Sequence, residues 1–142
     1  MKISARNALA GTITKVTRGA VNAEIDLTLK GGEKVVAIIT ICSADSLGLK
    51  EGKLAYAIFK ASSVMIAKDL RSGQLSARNV LDGKVAKVQD GAVNSEVTVK
   101  LTSGADVVST ITKEGVKSLG LTTGDSVSAI VKASNVTLGV DH

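Results

Sequence analysis

The chain has one cysteine, one histidine, one tyrosine and one phenylalanine, and no tryptophan or proline. A single cysteine excludes an intrachain disulfide and a thiolate metal cluster. Cys42 ends the apolar run Val35-Val36-Ala37-Ile38-Ile39-Thr40-Ile41-Cys42, which predicts an inert, buried or half-buried thiol. The one histidine, His142, is the last residue, where chains fray, so no Ser-His-Asp set can be assembled. Tyr56 and Phe59 are too few to make a base-stacking platform for single-stranded nucleic acid. No apolar run nears the ~20 residues needed to span a bilayer. Met1-Lys2 leads straight into patterned sequence, leaving no room for a signal peptide, so the expected compartment is the cytoplasm. Neither a Walker loop nor a G-x-G-x-x-G occurs. The expectation is a protein that is not an enzyme and holds no directly ligated metal cation. From the missing proline nothing further follows.

What the chain does have is repetition. Ser4-Ala5-Arg6-Asn7 returns unchanged as Ser76-Ala77-Arg78-Asn79, and a shift of 72 positions lays residues 3–67 on 75–139 without a gap. About 30 of those 65 pairs are identical. A repeat decides the architecture before any local pattern does. It divides the chain into a first domain at 1–67, a short polar linker at 68–74 and a second domain at 75–142. Units this small bury only about 60% of their unfolded surface and are marginal alone. With hydrophobic residues at 44% and aromatics at 1%, the core must be built from Val, Ile, Leu and Ala, which favours strands and an oligomer.

Within each copy, alternation at Leu9, Gly11 and Ile13, and at Leu81, Gly83 and Val85, predicts a first strand with a bulge or bend at the glycine. Val21, Ala23, Ile25, Leu27 and Leu29 form the apolar face of a second strand, as do Val93, Ser95, Val97, Val99 and Leu101. A hairpin at Gly31-Gly32 or Ser103-Gly104 leads into a third strand. One helical turn follows, ending at Gly48 or Gly120 in a left-handed cap. Two more strands complete each copy, the fifth at 64–67 or 136–139. The fold class is all-β: two tandem OB-fold-like five-stranded barrels, each with a short helix between strands three and four.

The net charge of +5 attracts anions without choosing among them. The groups that recur with chemical content are Ser4 and Arg6 with Ser76 and Arg78, Lys60-Ala61-Ser62 with Lys132-Ala133-Ser134, and Thr40 with Thr112. Arg and Lys supply charge-assisted donors and the hydroxyls add more, which suits a tetrahedral dianion provided no carboxylate is near. The recurring acids, Glu24 and Glu96, lie on the polar face of strand two and are expected to be solvated surface.

The pattern S-A-R-N-x-L-x-G, then A-V-N-x-E, L-G-L-x-x-G and K-A-S-x-V, closely resembles the Mop (molybdate-binding TOBE) domains. Two in tandem resemble the di-Mop molbindins over nearly the whole chain. The resemblance implies trimers of OB-type subunits that bind molybdate or tungstate between chains, for molybdenum storage and homeostasis in the cytoplasm. It further implies that Ser4 and Arg6 face Lys60, Ala61 and Ser62 of a neighbouring chain, and Ser76 and Arg78 face Lys132, Ala133 and Ser134. A hydroxyl after strand three corresponds to Thr40 and Ser43. The second copy keeps Thr112 but has Gly115 in place of Ser43, which shifts weight onto backbone N–H groups. Two rival readings stand beside this one: an OB-fold nucleic-acid-binding module, and a detached oxyanion-sensing regulatory domain.

Overall fold

The computed structural model describes residues 1–71 and 73–141. His142, expected to fray, and Ser72 of the linker lie outside the described residues. Each repeat begins with a long strand, β1 (Asn7–Arg18) or β6 (Asn79–Asp90). Next come β2 (Asn22–Leu29) with β3 (Lys34–Thr40), and β7 (Asn94–Leu101) with β8 (Asp106–Thr112). The helices α1 (Ile41–Ser46) and α2 (Lys113–Leu119) follow, then β4 (Leu54–Phe59) and β9 (Ser126–Val131). A 3₁₀ turn at Ala61–Ser63 or Ala133–Asn135 leads into the three-residue β5 (Met65–Ala67) or β10 (Thr137–Gly139).

The two sheets are five-stranded and antiparallel, with strand orders β10-β4-β1-β2-β3 and β5-β9-β6-β7-β8. The fifth strands are therefore exchanged: β5 pairs with β9 of the second repeat, and β10 with β4 of the first. Neither repeat closes its own sheet. Two copies of one sequence offer interchangeable fifth strands, so exchange creates no new kind of contact and ties the halves together. The buried side chains of both repeats accordingly form one cluster, from Ile13, Ile25 and Leu27 through to Val97, Val99 and Leu138. Sharing one core answers the marginal size of a single repeat.

Alternation produces the buried face as the sequence predicts, with two differences. Val21 and Val93 stand 72% and 74% exposed, because the strands begin one residue later and Val21 and Val93 belong to the preceding turns. The irregularity in β1 falls between Ile13 and Lys15, and in β6 between Val85 and Lys87, rather than at the glycines. Gly11 marks instead a close approach, since a Cβ there would lie 2.8 Å from Thr28 O. Gly83 is crowded in the same way by Lys100 O.

Strand β3 stops at Thr40 because its side chain caps α1, accepting from Ser43 N. Cys42 thus falls in the first turn of a helix and is exposed, not buried at the end of a strand. Gly48 and Gly120 adopt φ of 62° and 58°, the left-handed conformation expected past a helix end. Among the described residues, no helix is long and apolar enough to cross a membrane.

Candidate functional site

The pairing of β1 with β4 builds the first groove. Asn7 lies opposite Phe59, so the residue before one and the residue after the other, Arg6 and Lys60, emerge at the same sheet end. In the second repeat Asn79 opposite Val131 does the same for Arg78 and Lys132. Ser4, Arg6, Lys60, Ala61 and Ser62 line one groove of about 730 Å³. Ser76, Arg78, Lys132, Ala133 and Ser134 line a smaller one of about 400 Å³. Each set thus gathers within a single chain.

Behind each groove the arginine is held. Arg6 Nη1 and Nη2 donate to Glu96 Oε2 and Oε1 at 2.6 and 2.9 Å. Arg78 donates likewise to Glu24 at 2.7 and 3.4 Å, and this carboxylate raises the guanidinium's pKa by hydrogen bonding first and by charge second. The expectation of solvated glutamates with no carboxylate near the arginines is therefore overturned. Arg6 belongs to the first repeat and Glu96 to the second, and Arg78 and Glu24 reverse that. Strand exchange brings each arginine against the other repeat's second strand.

Asn7 and Asn79 are the residues that sequence reasoning undervalued. Both are almost fully buried. Asn7 Nδ2 donates to Val108 O while Val108 N donates to Asn7 Oδ1, both at 2.8 Å. Asn79 makes the matching pair with Val36, at 2.8 and 2.7 Å. Each amide thereby continues the ladder of an edge strand, β8 or β3, in the other repeat. The recurrence of Asn within Ser-Ala-Arg-Asn was the signal, though nothing in it named a backbone partner.

Thr40, Ser43 and Thr112 line neither groove. Thr40 and Thr112 are helix caps, accepting from Ser43 N and Gly115 N, and the Thr40 and Ser43 hydroxyls bond each other at 2.9 Å. Along their strands, Thr40 lies two residues beyond Ile38 and Thr112 two beyond Thr110. Ile38 lines the groove of Arg78, and Thr110 that of Arg6. Each hydroxyl after strand three thus follows, two residues on, a side chain that lines the other repeat's groove. Of the two aromatics, Phe59 is in the core and Tyr56 donates its hydroxyl to Asp141.

The chain and its fold are both similar to known proteins. A crystal structure of the cytoplasmic molybdate-binding protein ModG, with molybdate bound, superposes with a TM-score of 0.96 at 50% identity. That match covers 99% of this chain and 100% of the other. The molybdenum-pterin-binding protein MopA of Rhodobacter capsulatus is 42% identical over 140 residues, 99% of this chain and 53% of the relative. The molybdenum transport protein ModE of Azotobacter vinelandii is 41% identical over 140 residues, 99% of this chain and 52% of the relative. The chain spans about half the length of these curated relatives. The TOBE domain matches twice, at residues 3–66 and 75–138, so the chain belongs to the TOBE-domain family and carries two such domains in tandem.

Proposed function

We propose that the chain is a non-enzymatic binding protein for molybdate or tungstate that buffers and stores the anion in the cytoplasm. The observation that carries this reading is the gathering of Arg6, Lys60, Ser4 and Ser62, and of Arg78, Lys132, Ser76 and Ser134, in two grooves with no acid among the described residues of their walls, the glutamates standing behind the arginines. Guanidinium, ammonium and hydroxyl donors converge there, and a tetrahedral dianion accepts from all three. The ligand named for ModG fits that donor set. In this reading the anion is held by these donors and released by mass action.

In this reading the working unit is a homo-oligomer, a trimer, with anions at the subunit contacts. Ile38, Met65 and Leu75 in the second groove and Ile3 in the first are exposed apolar residues beside the charged ones, and a second subunit would cover them. Thr112 then extends the first groove, and Thr40 with Ser43 extends the second. Titration calorimetry with molybdate, together with the native mass, tests the proposal. The unaltered chain should bind the anion as an oligomer, and Arg6→Ala/Arg78→Ala should weaken binding at least about tenfold, the scale of a lost charge-assisted hydrogen bond. Full affinity in the double variant refutes the site, and a monomer at micromolar concentration refutes the subunit contacts. The ModE relatives, one of them called a transcriptional regulator, leave a second reading: an oxyanion-sensing unit of a longer regulator.

A further inference from the structure

The two grooves share a charged half and differ in the wall that faces it. Strand exchange supplies each groove with a wall from the other repeat. In the first groove that wall includes Thr110 on β8 and Thr137 on β10. In the second, the equivalent positions are Ile38 on β3 and Met65 on β5. Thr110 is the cross-strand neighbour of Glu96, which holds Arg6, and Ile38 is the cross-strand neighbour of Glu24, which holds Arg78. The difference therefore lies beside the guanidinium in each case.

We propose that Thr110 and Thr137 are specificity-determining residues that make the first groove the tighter oxyanion site, and that Ile38 and Met65 make the second the weaker. This deepens the function proposed above and rests on it. A hydroxyl can turn its hydrogen toward an anion oxygen, whereas Ile and Met offer no donor. An oxygen facing them loses water without gaining a partner, which disfavours the bound state. The 36% and 48% exposure of Ile38 and Met65 sets apolar surface directly beside Arg78 and Lys132. Both grooves are far larger than one tetrahedral oxyanion, so donors rather than room decide between them. One donor to a charged acceptor is worth about tenfold in affinity, and two together up to about a hundredfold.

The test uses the full chain and molybdate, with one groove disabled at a time. Arg78→Ala leaves the first groove, Arg6→Ala the second, and calorimetry should find the first at least about tenfold tighter. Thr110→Val/Thr137→Val, which keeps shape and removes both hydroxyls, should bring the Arg78→Ala protein down to the level of Arg6→Ala. Ile38→Thr/Met65→Thr should tighten the Arg6→Ala protein. That gain arm decides the matter even if the valine variant folds poorly. Equal affinities in the two single-groove proteins, or threonines at 38 and 65 that do not tighten binding, overturn the inference and leave the function standing. An unaltered chain that binds no molybdate refutes the function and this inference with it.

Discussion

Arg6 and Glu96 stand 90 residues apart in sequence and meet in a two-point ion pair that joins one repeat to the other. Arg78 and Glu24 repeat it on the opposite side. Both glutamates are about one-third exposed and both arginines about half, so solvent and salt screen these pairs. Glu24→Gln/Glu96→Gln should therefore lower the melting temperature modestly at low ionic strength. The difference from the unaltered chain should vanish near 1 M salt, where the Debye length is about 3 Å. Thermal unfolding across a salt series checks this. A deficit that persists unchanged at high salt would show that packing, not charge, links these residues.

The asparagines should matter more, because they are buried and each makes two hydrogen bonds to one backbone position. Asn7→Ala or Asn79→Ala removes two hydrogen bonds and strands a peptide N–H and C=O at Val108 or Val36. The expected cost is about 2–4 kcal/mol at each position. Denaturant unfolding measures it, with Asn22→Ala, at an exposed residue, as the reference. A cost below that of the reference would mean the ladder extension contributes nothing.

Much of this was legible in the chain because a repeat doubles every signal. The strands, the hairpins, the short helix and its glycine cap could be read twice, and Ser-Ala-Arg with Lys-Ala-Ser marked the grooves. Legibility stopped where partners are distant. Met65-Ile66-Ala67 and Thr137-Leu138-Gly139 would satisfy either sheet, so alternation alone could not reveal which one they join. The same crossing hid the partner of Glu96, the purpose of Asn7, and the place of Thr110 in the wall of the first repeat's groove. Cys42 was misplaced for a local reason: an apolar run reads as strand until a capping hydroxyl, here Thr40, ends it.

The segment joining the repeats is pinned at its start, where Lys68 Nζ lies 3.0 Å from Asp125 Oδ2. Thr122 N donates to the same carboxylate at 2.9 Å. That backbone bond first, and Lys68 second, hold Asp125 below the usual carboxylate range. A group whose folded pKa is depressed adds stability above its unfolded value, about 4, and loses it as the pH falls through the folded value. Asp125→Asn should thus be less stable than the unaltered chain at neutral pH, with the gap closing in acid. Melting temperatures from pH 7 downward test this, and a gap constant below pH 4 would contradict it. Asp45, lowered by its hydrogen bond to Arg18 and then by that charge, adds an acid-sensitive contribution of the same sign.

Lys60 and Lys132 yield the most direct test of anion binding at the grooves. Each follows the last residue of a strand paired to the one that starts after Arg6 or Arg78, so ammonium and guanidinium are brought to one sheet end by register alone. Each guanidinium already has a glutamate behind it, and a dianion set between guanidinium and ammonium would attract both. A ligand that binds only the folded, assembled state stabilises it by mass action, by about 2.7 kcal/mol per independent site at 100 times the dissociation constant. The melting temperature should therefore rise with molybdate and rise less in Lys60→Ala and Lys132→Ala. Sulfate is smaller and would fit the same donors less well, so at matched ionic strength its effect should be weaker. The decisive measurement is thermal unfolding of the unaltered chain and both variants with molybdate, with sulfate and with neither. A melting temperature that molybdate leaves unmoved, or that sulfate moves equally, would reduce these lysines to ordinary surface charge.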